Sequence, residues 1–341
     1  MTLGSRPDDA AAPAAGFEIT VCTDEAAQDR SLTAEIAAGL QSVPKELPPK
    51  LFYDDEGCRL FGEITRLEEY YLTRREHDIL ARAAPEIVAL CGAGTLVELG
   101  SGLSEKTRLL LDALADAEVL EGFVPFDVNE SALRATASAA AAAYPGISVH
   151  GVVGEFGSDL PSIPKAPRRL VALLGGTIGN FSGPERQKFL AAIAGLSTSG
   201  ETFLLGADLV KDRHRLLAAY DDRHGVTAAF NRNVLRVINR RLDADFDPRT
   251  FAHVATYDDE MQWIEMWLRS EEAQEVYLRR LGLRVAFAPG EAVRTEISAK
   301  FRPAQVSEEL TDAGFSVLAQ WFDAGGDFSL TLARRADGSP P

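Results

Sequence analysis

Cysteine is among the scarcest residues in this sequence of 341 residues. The three cysteines, Cys22, Cys58 and Cys91, are far apart and form no C-x-x-C pair. Such a sparse, odd-numbered set excludes a disulfide framework and a cysteine-based zinc site, and it is typical of a reducing compartment. The five histidines show no H-E-x-x-H or similar spacing, so we predict no metal site.

Long apolar segments are also missing. No apolar run approaches the ~18 residues that a membrane span requires. Residues 1–16 are rich in alanine and proline and lack the apolar core of a signal peptide. We therefore expect residues 1–16 to form a disordered tail, and we expect the protein to be cytoplasmic and without a membrane partner.

Positive charge is in deficit, since 35 Lys and Arg stand against 51 Asp and Glu, for a formal net charge of -16. The negative charges are spread along the chain and no stripe is rich in Lys or Arg, so a nucleic-acid backbone would be repelled. The hydrophobic and charged fractions, 46% and 25%, are those of a folded globular protein. This balance favours a small-molecule substrate, and we expect a monomer.

The pattern of apolar residues changes after about residue 93. Helical spacing dominates before that point. Short apolar runs then alternate with helical stretches, which is typical of βαβ units and of a parallel sheet buried on both faces. The candidate strands of this part are Leu96–Leu99, Phe123–Val128, Ile147–Val153, Leu170–Leu174 and Phe203–Ala207.

The alternation stops after Asp208 and returns near the end of the chain. Two helices and several strand-like segments come between, and the chain ends with a helix and two strands joined by a glycine-containing turn. We predict an α/β fold with a five-strand core that is closed by an antiparallel hairpin and interrupted by an inserted α+β domain. The predicted parts are the tail (1–16), the N-terminal helices and core (17–211), an inserted substrate-recognition domain (212–300) and the end of the core (301–341).

A glycine motif follows the first predicted strand. The sequence LVELGSGLSEK ends at Lys106, and Gly100-x-Gly102 between a strand and a helix lets a ligand approach the backbone closely. Dinucleotide enzymes share this motif, so an NAD-dependent dehydrogenase is the main alternative. Glu105, however, replaces their third glycine and would compete with a pyrophosphate for the helix N-terminus. S-adenosylmethionine has no phosphate and carries a cationic sulfonium, so we predict this cofactor, with Lys106 placed to meet its carboxylate.

Further candidate residues stand at the ends of the next strands. Asp127 follows the second strand, where a carboxylate can accept hydrogen bonds from both ribose hydroxyls. Glu155 and Phe156 follow the third strand, where they are expected to contact adenine, although the preceding Gly154 is equally typical of a simple turn. Asn180 ends a glycine-rich segment after the fourth strand, either as a donor and acceptor for a polar ligand or as the cap of a turn.

In the predicted insertion, the segment from Arg294 to Lys300 alternates as a strand does. Residues two apart face the same way, so Glu296 and Ser298 present a carboxylate and a hydroxyl side by side. This pair can bind the two nitrogens of an imidazole, or it can be a solvated face of the strand.

From about Leu47 to Arg334 the sequence resembles the histidine Nα-trimethyltransferases of ergothioneine biosynthesis. Ordered matching blocks in both predicted domains are far more specific than the glycine motif alone. These blocks include Leu51-Phe-Tyr53-Asp, Glu69-Tyr70-Tyr71, Leu96 to Arg108, Pro125-Phe-Asp127-Val, Asp208-Leu-Val-Lys-Asp212, Ala219-Tyr220-Asp221, Ile264-Glu-Met266-Trp-Leu and Ser298-Ala-Lys300-Phe-Arg-Pro303.

The resemblance implies a Rossmann-like class I methyltransferase core that uses S-adenosylmethionine to trimethylate the α-amine of L-histidine to hercynine. An N-methyltransferase of the same fold acting on another amino acid, such as tryptophan, is the alternative. The family usually has Asp where this chain has Glu155, which shifts the expected adenine contact by one methylene. The implied cofactor contacts are Gly100, Lys106, Asp127, Glu155 and Phe156.

The resemblance also implies roles on the substrate side. It places Tyr53 close to the reacting amine as the catalytic residue, and it implies that Asn180 and Tyr220 hold the α-carboxylate and the amine. The residues implied for the imidazole pocket are Tyr70, Met266, Glu296 and Ser298.

Overall fold

The computed structural model describes residues 16–22, 25–101 and 106–336. The predicted tail lies outside these ranges except for residue 16, and so do Gly102 and Glu105 of the glycine motif. The described chain forms a large, mostly parallel sheet and a smaller, mostly antiparallel sheet. None of its helices is long and apolar enough to span a membrane.

The elements follow the predicted alternation closely. The strands are β1 (Glu18–Val21), β2 (Lys45–Glu46), β3 (Thr95–Leu99), β4 (Gly122–Asp127), β5 (Ser148–Val153), β6 (Arg169–Leu173), β7 (Thr202–Asp208), β8 (Phe251–Asp258), β9 (Trp263–Ser270), β10 (Gln274–Leu278), β11 (Leu283–Phe287), β12 (Ala292–Ala299), β13 (Phe315–Phe322) and β14 (Phe328–Arg335). The α-helices are α1 (Glu25–Gln41), α2 (Asp55–Ile64), α3 (Leu72–Cys91), α4 (Lys106–Asp116), α5 (Glu130–Ala143), α6 (Gly183–Leu196), α7 (Arg213–Tyr220), α8 (Val226–Leu242) and α9 (Pro303–Asp312).

The large sheet has eight strands in the order β1-β5-β4-β3-β6-β7-β14-β13. Strand β14 runs antiparallel to both β7 and β13, whereas the other neighbours are parallel. The predicted five-strand core and its closing hairpin are thereby confirmed. Strands β3, β6 and β7 are buried along their whole length, as expected when both faces of a parallel sheet are covered. The strand order reverses at β3, which opens a crevice at the carboxyl ends of β3 and β6.

Strand β1 was not predicted. Its residues pair in parallel with His150–Val153 of β5 at the edge of the large sheet. Thr20 Oγ1 and His150 Nε2, 2.7 Å apart, lie 130 residues from each other along the chain. A short, partly exposed segment with such a distant partner carries no local pattern that marks it as a strand.

The smaller sheet combines two distant parts of the chain. Its order is β2-β12-β9-β8, so β2 from the N-terminal part pairs with β12 of the predicted insertion. The Phe52 ring also stacks on Phe230 of α8, with centroids 4.5 Å apart. The N-terminal segment is therefore packed against the predicted insertion, and the exact division into domains stays a prediction.

Asn129 fixes the end of β4 next to the N-terminal segment. Its side-chain oxygen accepts the backbone N–H of Ala132 at 2.9 Å and so caps α5. Its side-chain amide donates to the carbonyl of Tyr53 at 3.1 Å. The helix cap thus holds Tyr53 beside the strand that ends in Asp127.

Candidate active site

A cavity of about 1430 Å³ lies between the carboxyl ends of the parallel strands and β12 of the smaller sheet. The cavity brings together all the residues predicted for the site, which come from both ends of the chain. Their individual roles stay predictions. These lining residues are Tyr53, Tyr70, Gly100, Lys106, Asp127, Glu155, Phe156, Asn180, Tyr220, Met266, Glu296 and Ser298.

Gly100 shapes the first part of the cavity wall. Its φ is +72°, and a Cβ atom at this position would come within 3.4 Å of the Phe156 ring. The Phe156 ring is held in turn by stacking on Phe126, with centroids 5.8 Å apart. A glycine is therefore needed for the turn after β3 and keeps the backbone accessible to a ligand.

Asp127 ends β4 with its carboxylate at the cavity wall. Its Oδ1 atom accepts the backbone N–H of Asn129 at 2.9 Å. A carboxylate can accept about four hydrogen bonds, so a ribose hydroxyl can share the group with this backbone N–H. The geometry fits the predicted ribose contact.

Glu98 lies on β3 beneath the glycine turn and is almost fully buried. Burial raises the pKa of Glu98 to about 8, although a hydrogen bond with Thr107 and the charge of Lys106 oppose the shift. Oε2 of Glu98 has no hydrogen-bond partner in the described part of the chain, and the residue lines the cavity. Burial therefore favours the protonated form of Glu98, which adds no second negative charge to this part of the cavity wall.

Glu155 is paired with a lysine that was not predicted. Lys50 Nζ lies 3.0 and 3.2 Å from the two carboxylate oxygens of Glu155 and 2.9 Å from Glu35. Burial by itself would lower the pKa of Lys50, but the hydrogen bonds to the two carboxylates outweigh it and raise that pKa. Lys50 thus offsets part of the negative charge of Glu155 and links it to Glu35 on α1.

Lys106 is also held by a carboxylate that was not predicted. Its ammonium forms an ion pair with Glu76, which is fully buried on α3. The Glu76 oxygens accept the backbone N–H of Gly175 at 2.8 and 2.9 Å. Glu76 therefore connects the cofactor side of the cavity to the loop after β6, which leads to Asn180.

Asn180 is brought close to β12 by the glycine before it. A Cβ atom at Gly179 would lie 2.8 Å from the carbonyl oxygen of Ala299, which is too close for any side chain. The absence of a side chain therefore lets the loop after β6 pack directly on β12. As a result, Asn180 and Ser298 line the same cavity.

A β-bulge in β12 directs Glu296 into the cavity. The register with β9 shifts between Arg294, which pairs with Trp267, and Glu296, which pairs with Met266. Directly paired residues share a face of the sheet, so Glu296 and Met266 face the cavity together. Arg294 faces the other way and contacts Glu265 at 3.2 Å. The predicted alternation is correct for Glu296 and Ser298 but wrong for Arg294, because the bulge inserts one extra residue.

Aromatic rings form the part of the wall nearest the N-terminal segment. The centroid distances are 6.5 Å for Tyr53 and Phe61, 6.0 Å for Phe61 and Tyr70, and 6.4 Å for Tyr70 and Tyr220. Burial, aided by the charges of Glu296 and Asp127, raises the pKa of Tyr53 far above its usual range. Tyr53 is therefore a neutral phenol that donates or accepts hydrogen bonds, and it does not act as a phenolate base.

Sequence reasoning missed several polar residues that hold the site in place. Lys300 is one of them, although the sequence does mark it: it stands two residues after Ser298 and continues the same alternation. Glu76 and Lys50 are separated from their partners by 30 and 105 residues, so no local pattern marks them. In the described ranges, no group of three or more His, Cys, Asp or Glu side chains could hold a metal ion.

Glu296 gives a pH-dependent prediction for stability. Burial raises its pKa from 4.5 to about 7, against the opposing charge of Lys300. The folded state therefore keeps a proton that the unfolded chain loses, so stability falls as the pH rises from about 4.5 to about 7. The free energy of unfolding falls by at most roughly 3 kcal/mol over this pH range. A glutamine at position 296 has no ionisable proton and therefore avoids this loss. We expect Glu296→Gln to raise the free energy of unfolding at pH 8 but not at pH 5, as measured by urea denaturation.

Glu265→Gln is the matched control, because Glu265 lies on the neighbouring strand and faces Arg294 outside the cavity. Its effect on stability should be small, as for other partly exposed ion pairs. Equal stabilisation of the Glu296 variant at both pH values would show that its carboxyl group is not desolvated in the folded protein.

The sheet order, the antiparallel strand β14, the glycine turn after β3 and the carboxylate at the end of β4 define a class of protein. The chain is a class I, S-adenosylmethionine-dependent methyltransferase. It belongs to the family of histidine-specific, S-adenosylmethionine-dependent methyltransferases, whose model matches residues 32–335. The predicted resemblance, fold class and cofactor are confirmed.

Individual relatives agree with this assignment. The chain is 52% identical over 315 residues to the histidine N-alpha-methyltransferase of Mycolicibacterium smegmatis, covering 92% of this chain and 98% of that one. It is 52% identical over 305 residues to the protein of the same name from Mycobacterium tuberculosis, covering 89% and 95%. Ergothioneine biosynthesis protein 1 of Neurospora crassa is 28% identical over 304 residues, which cover 86% of this chain and 33% of that one.

Proposed function

We propose that this enzyme transfers three methyl groups, one at a time, from S-adenosylmethionine to the α-amine of L-histidine and so forms hercynine. The main observation in support is the single cavity that joins the cofactor-type wall at Gly100 and Asp127 to a polar pocket at Glu296 and Ser298. The family and the names of the two mycobacterial relatives support the same substrate.

On this proposal, each side of the cavity has its own task. The cofactor, when bound, supplies an electrophilic methyl group on a sulfonium. Gly100, Asp127 and Phe156 would hold it by backbone approach, ribose hydrogen bonds and ring contact. Glu296 and Ser298 would bond the two imidazole nitrogens, which fixes the orientation of the amino acid.

The α-amine must be neutral to react, so one proton leaves the nitrogen before each of the three transfers. Asn180 and Tyr220 would hold the α-carboxylate and amine, and the neutral phenol of Tyr53 would accept or donate a hydrogen bond near the amine. Water in the cavity would carry the proton away. Alignment of the reactants in an enclosed site is then the main source of rate, since effective molarities can reach ~10⁵ M.

The product would place the enzyme in ergothioneine biosynthesis, in line with the name of the Neurospora crassa relative. A monomeric state and a cytoplasmic location complete the proposal. The three cysteines are free thiols in the structure, in agreement with a reducing compartment.

Mass spectrometry of histidine incubated with enzyme and S-adenosylmethionine tests the substrate. We expect products heavier by one, two and three methyl groups, with the trimethylated form accumulating. Histidine amide should be a poor substrate, because the carboxylate proposed to contact Asn180 and Tyr220 is missing. Efficient turnover of tryptophan but not of histidine would establish the alternative amino-acid substrate instead.

A further inference from the structure

Lys300 lies at the junction of the two sheets, directly after β12. It is 1% exposed. The backbone around it is fixed, because Phe301 N donates to the carbonyl of Asp208 at 2.9 Å and Lys300 N donates to the carbonyl of Gln262 at 2.8 Å. A lysine in such a rigid, dry place must have partners for its charge.

The Lys300 ammonium has a full set of partners. Its Nζ atom lies 2.9 Å from Asp208 Oδ2, 2.9 Å from the Tyr220 hydroxyl and 2.9 Å from Ser298 Oγ. An ammonium has three N–H donors and no acceptor. All three protons are therefore used, and both hydroxyl oxygens act as acceptors toward Lys300.

This arrangement limits what the two hydroxyl hydrogens can do. The Tyr220 and Ser298 oxygens are 2.8 Å apart, so one hydroxyl donates to the other. The second hydroxyl hydrogen cannot point at Lys300, which has no lone pair. No other acceptor for it occurs in the described part of the chain, and both residues line the cavity. The pair therefore presents one O–H donor to the cavity.

We propose that Lys300 is a positioning residue that orients the Tyr220 and Ser298 hydroxyls so that the pair donates one hydrogen bond to the amino-acid substrate. This inference rests on the proposed function, because the acceptor is a carboxylate oxygen or an unprotonated imidazole nitrogen of histidine. Lys300 does not touch the substrate itself. Without the Lys300 ammonium, the two hydroxyl hydrogens can rotate into several hydrogen-bonding arrangements. Most of these arrangements do not direct an O–H donor at the substrate.

The neighbouring Lys211 offers a matched control. Its ammonium pairs with the same Asp208 and donates to the Tyr71 hydroxyl at 2.7 Å, but it bonds neither Tyr220 nor Ser298. Each lysine variant leaves Asp208 with the other lysine and with Tyr71, whose hydroxyl is 3.0 Å away. Lys300→Met and Lys211→Met thus each remove one ion pair with Asp208, and Lys300→Met alone disturbs the hydroxyl pair.

Calorimetry of histidine binding, with S-adenosylhomocysteine present, tests the inference. We expect Lys300→Met to weaken histidine binding about 10- to 150-fold, the size of one lost hydrogen bond to a charged group, and to raise KM more than it lowers kcat. Affinity for S-adenosylhomocysteine should stay within about twofold, and Lys211→Met should leave histidine affinity within about threefold. Equal losses in both variants, or unchanged histidine binding in Lys300→Met, would overturn the inference.

If Lys300→Met does not fold, Lys300→Gln decides the question, because it keeps a donor but removes the charge. A loss of histidine affinity of about threefold or more, with unchanged S-adenosylhomocysteine affinity, supports the positioning role. Affinity like that of the wild type overturns it. The wild-type measurement separates the two proposals, since a wild type that binds no histidine contradicts the proposed function and not only the role of Lys300.

Discussion

Replacing Glu296 by alanine should lower kcat/KM for histidine by about 10- to 150-fold. The carboxylate faces the cavity from β12, opposite Met266 on the neighbouring strand. A hydrogen bond between a charged group and its partner contributes ~1.5–3 kcal/mol, and a site built around polar partners rejects ligands that leave them unpaired. The measurement is kcat/KM for histidine and tryptophan in wild type and variant.

Tryptophan turnover should fall far less, and it can even rise, because the variant has more room and no carboxylate to desolvate. The affinity for S-adenosylmethionine should hardly change, since Glu296 lies on the smaller sheet. Glu265→Ala, on the outer face of the adjacent strand, should leave both substrates unaffected. If kcat/KM for histidine and tryptophan falls by the same factor in the Glu296 variant, Glu296 only supports the fold.

The second large effect should come from Asp127→Ala. This substitution removes the carboxylate at the end of β4, which is proposed to bond both ribose hydroxyls. Loss of one such bond weakens binding by about 10- to 150-fold, and loss of both by roughly the product of the two factors. Isothermal titration calorimetry should show this loss alike for S-adenosylmethionine and S-adenosylhomocysteine, because the ribose is common to both.

Asp127→Asn is the matched variant, since an amide oxygen can still accept the backbone N–H of Asn129. It should preserve the end of β4 and lose only part of the cofactor affinity. Thermal unfolding of both variants shows whether the strand end remains intact. Unchanged cofactor affinity in folded Asp127→Ala would remove Asp127 from the cofactor site.

Much of the fold is predictable because its signals are local. The parallel strands are short apolar runs separated by helices, and the predicted strands Leu96–Leu99 and Phe203–Ala207 lie within β3 and β7. Strands β1 and β2 were missed because their pairing partners, β5 and β12, are distant in the chain. Pairing across such distances depends on packing, which no window of sequence displays.

The candidate site also contains residues that the sequence predicts and residues that it does not. The glycine turn, the carboxylate after β4 and the paired Glu296 and Ser298 were found from position along predicted strands. The outward direction of Arg294 was not predicted. A β-bulge shifts the strand by one residue, so the residues before it lie on the opposite face from the one that simple alternation gives. Lys50 and Glu76 were not found either, since they act on site residues through contacts between remote helices and loops.

The sequence by itself determined the fold class, the cofactor and the family. These depend on periodicity, on residues at strand ends and on ordered blocks of residues that match the family. Only the tertiary structure decided the electrostatic state of the site. The raised pKa values of Glu98 and Glu296 result from burial. The Lys300 ammonium finds two of its three partners, Asp208 and Tyr220, on distant elements that the fold brings together. Desolvation depends on what surrounds a group in three dimensions, so the same residues in the same order carry no such information until the chain has folded.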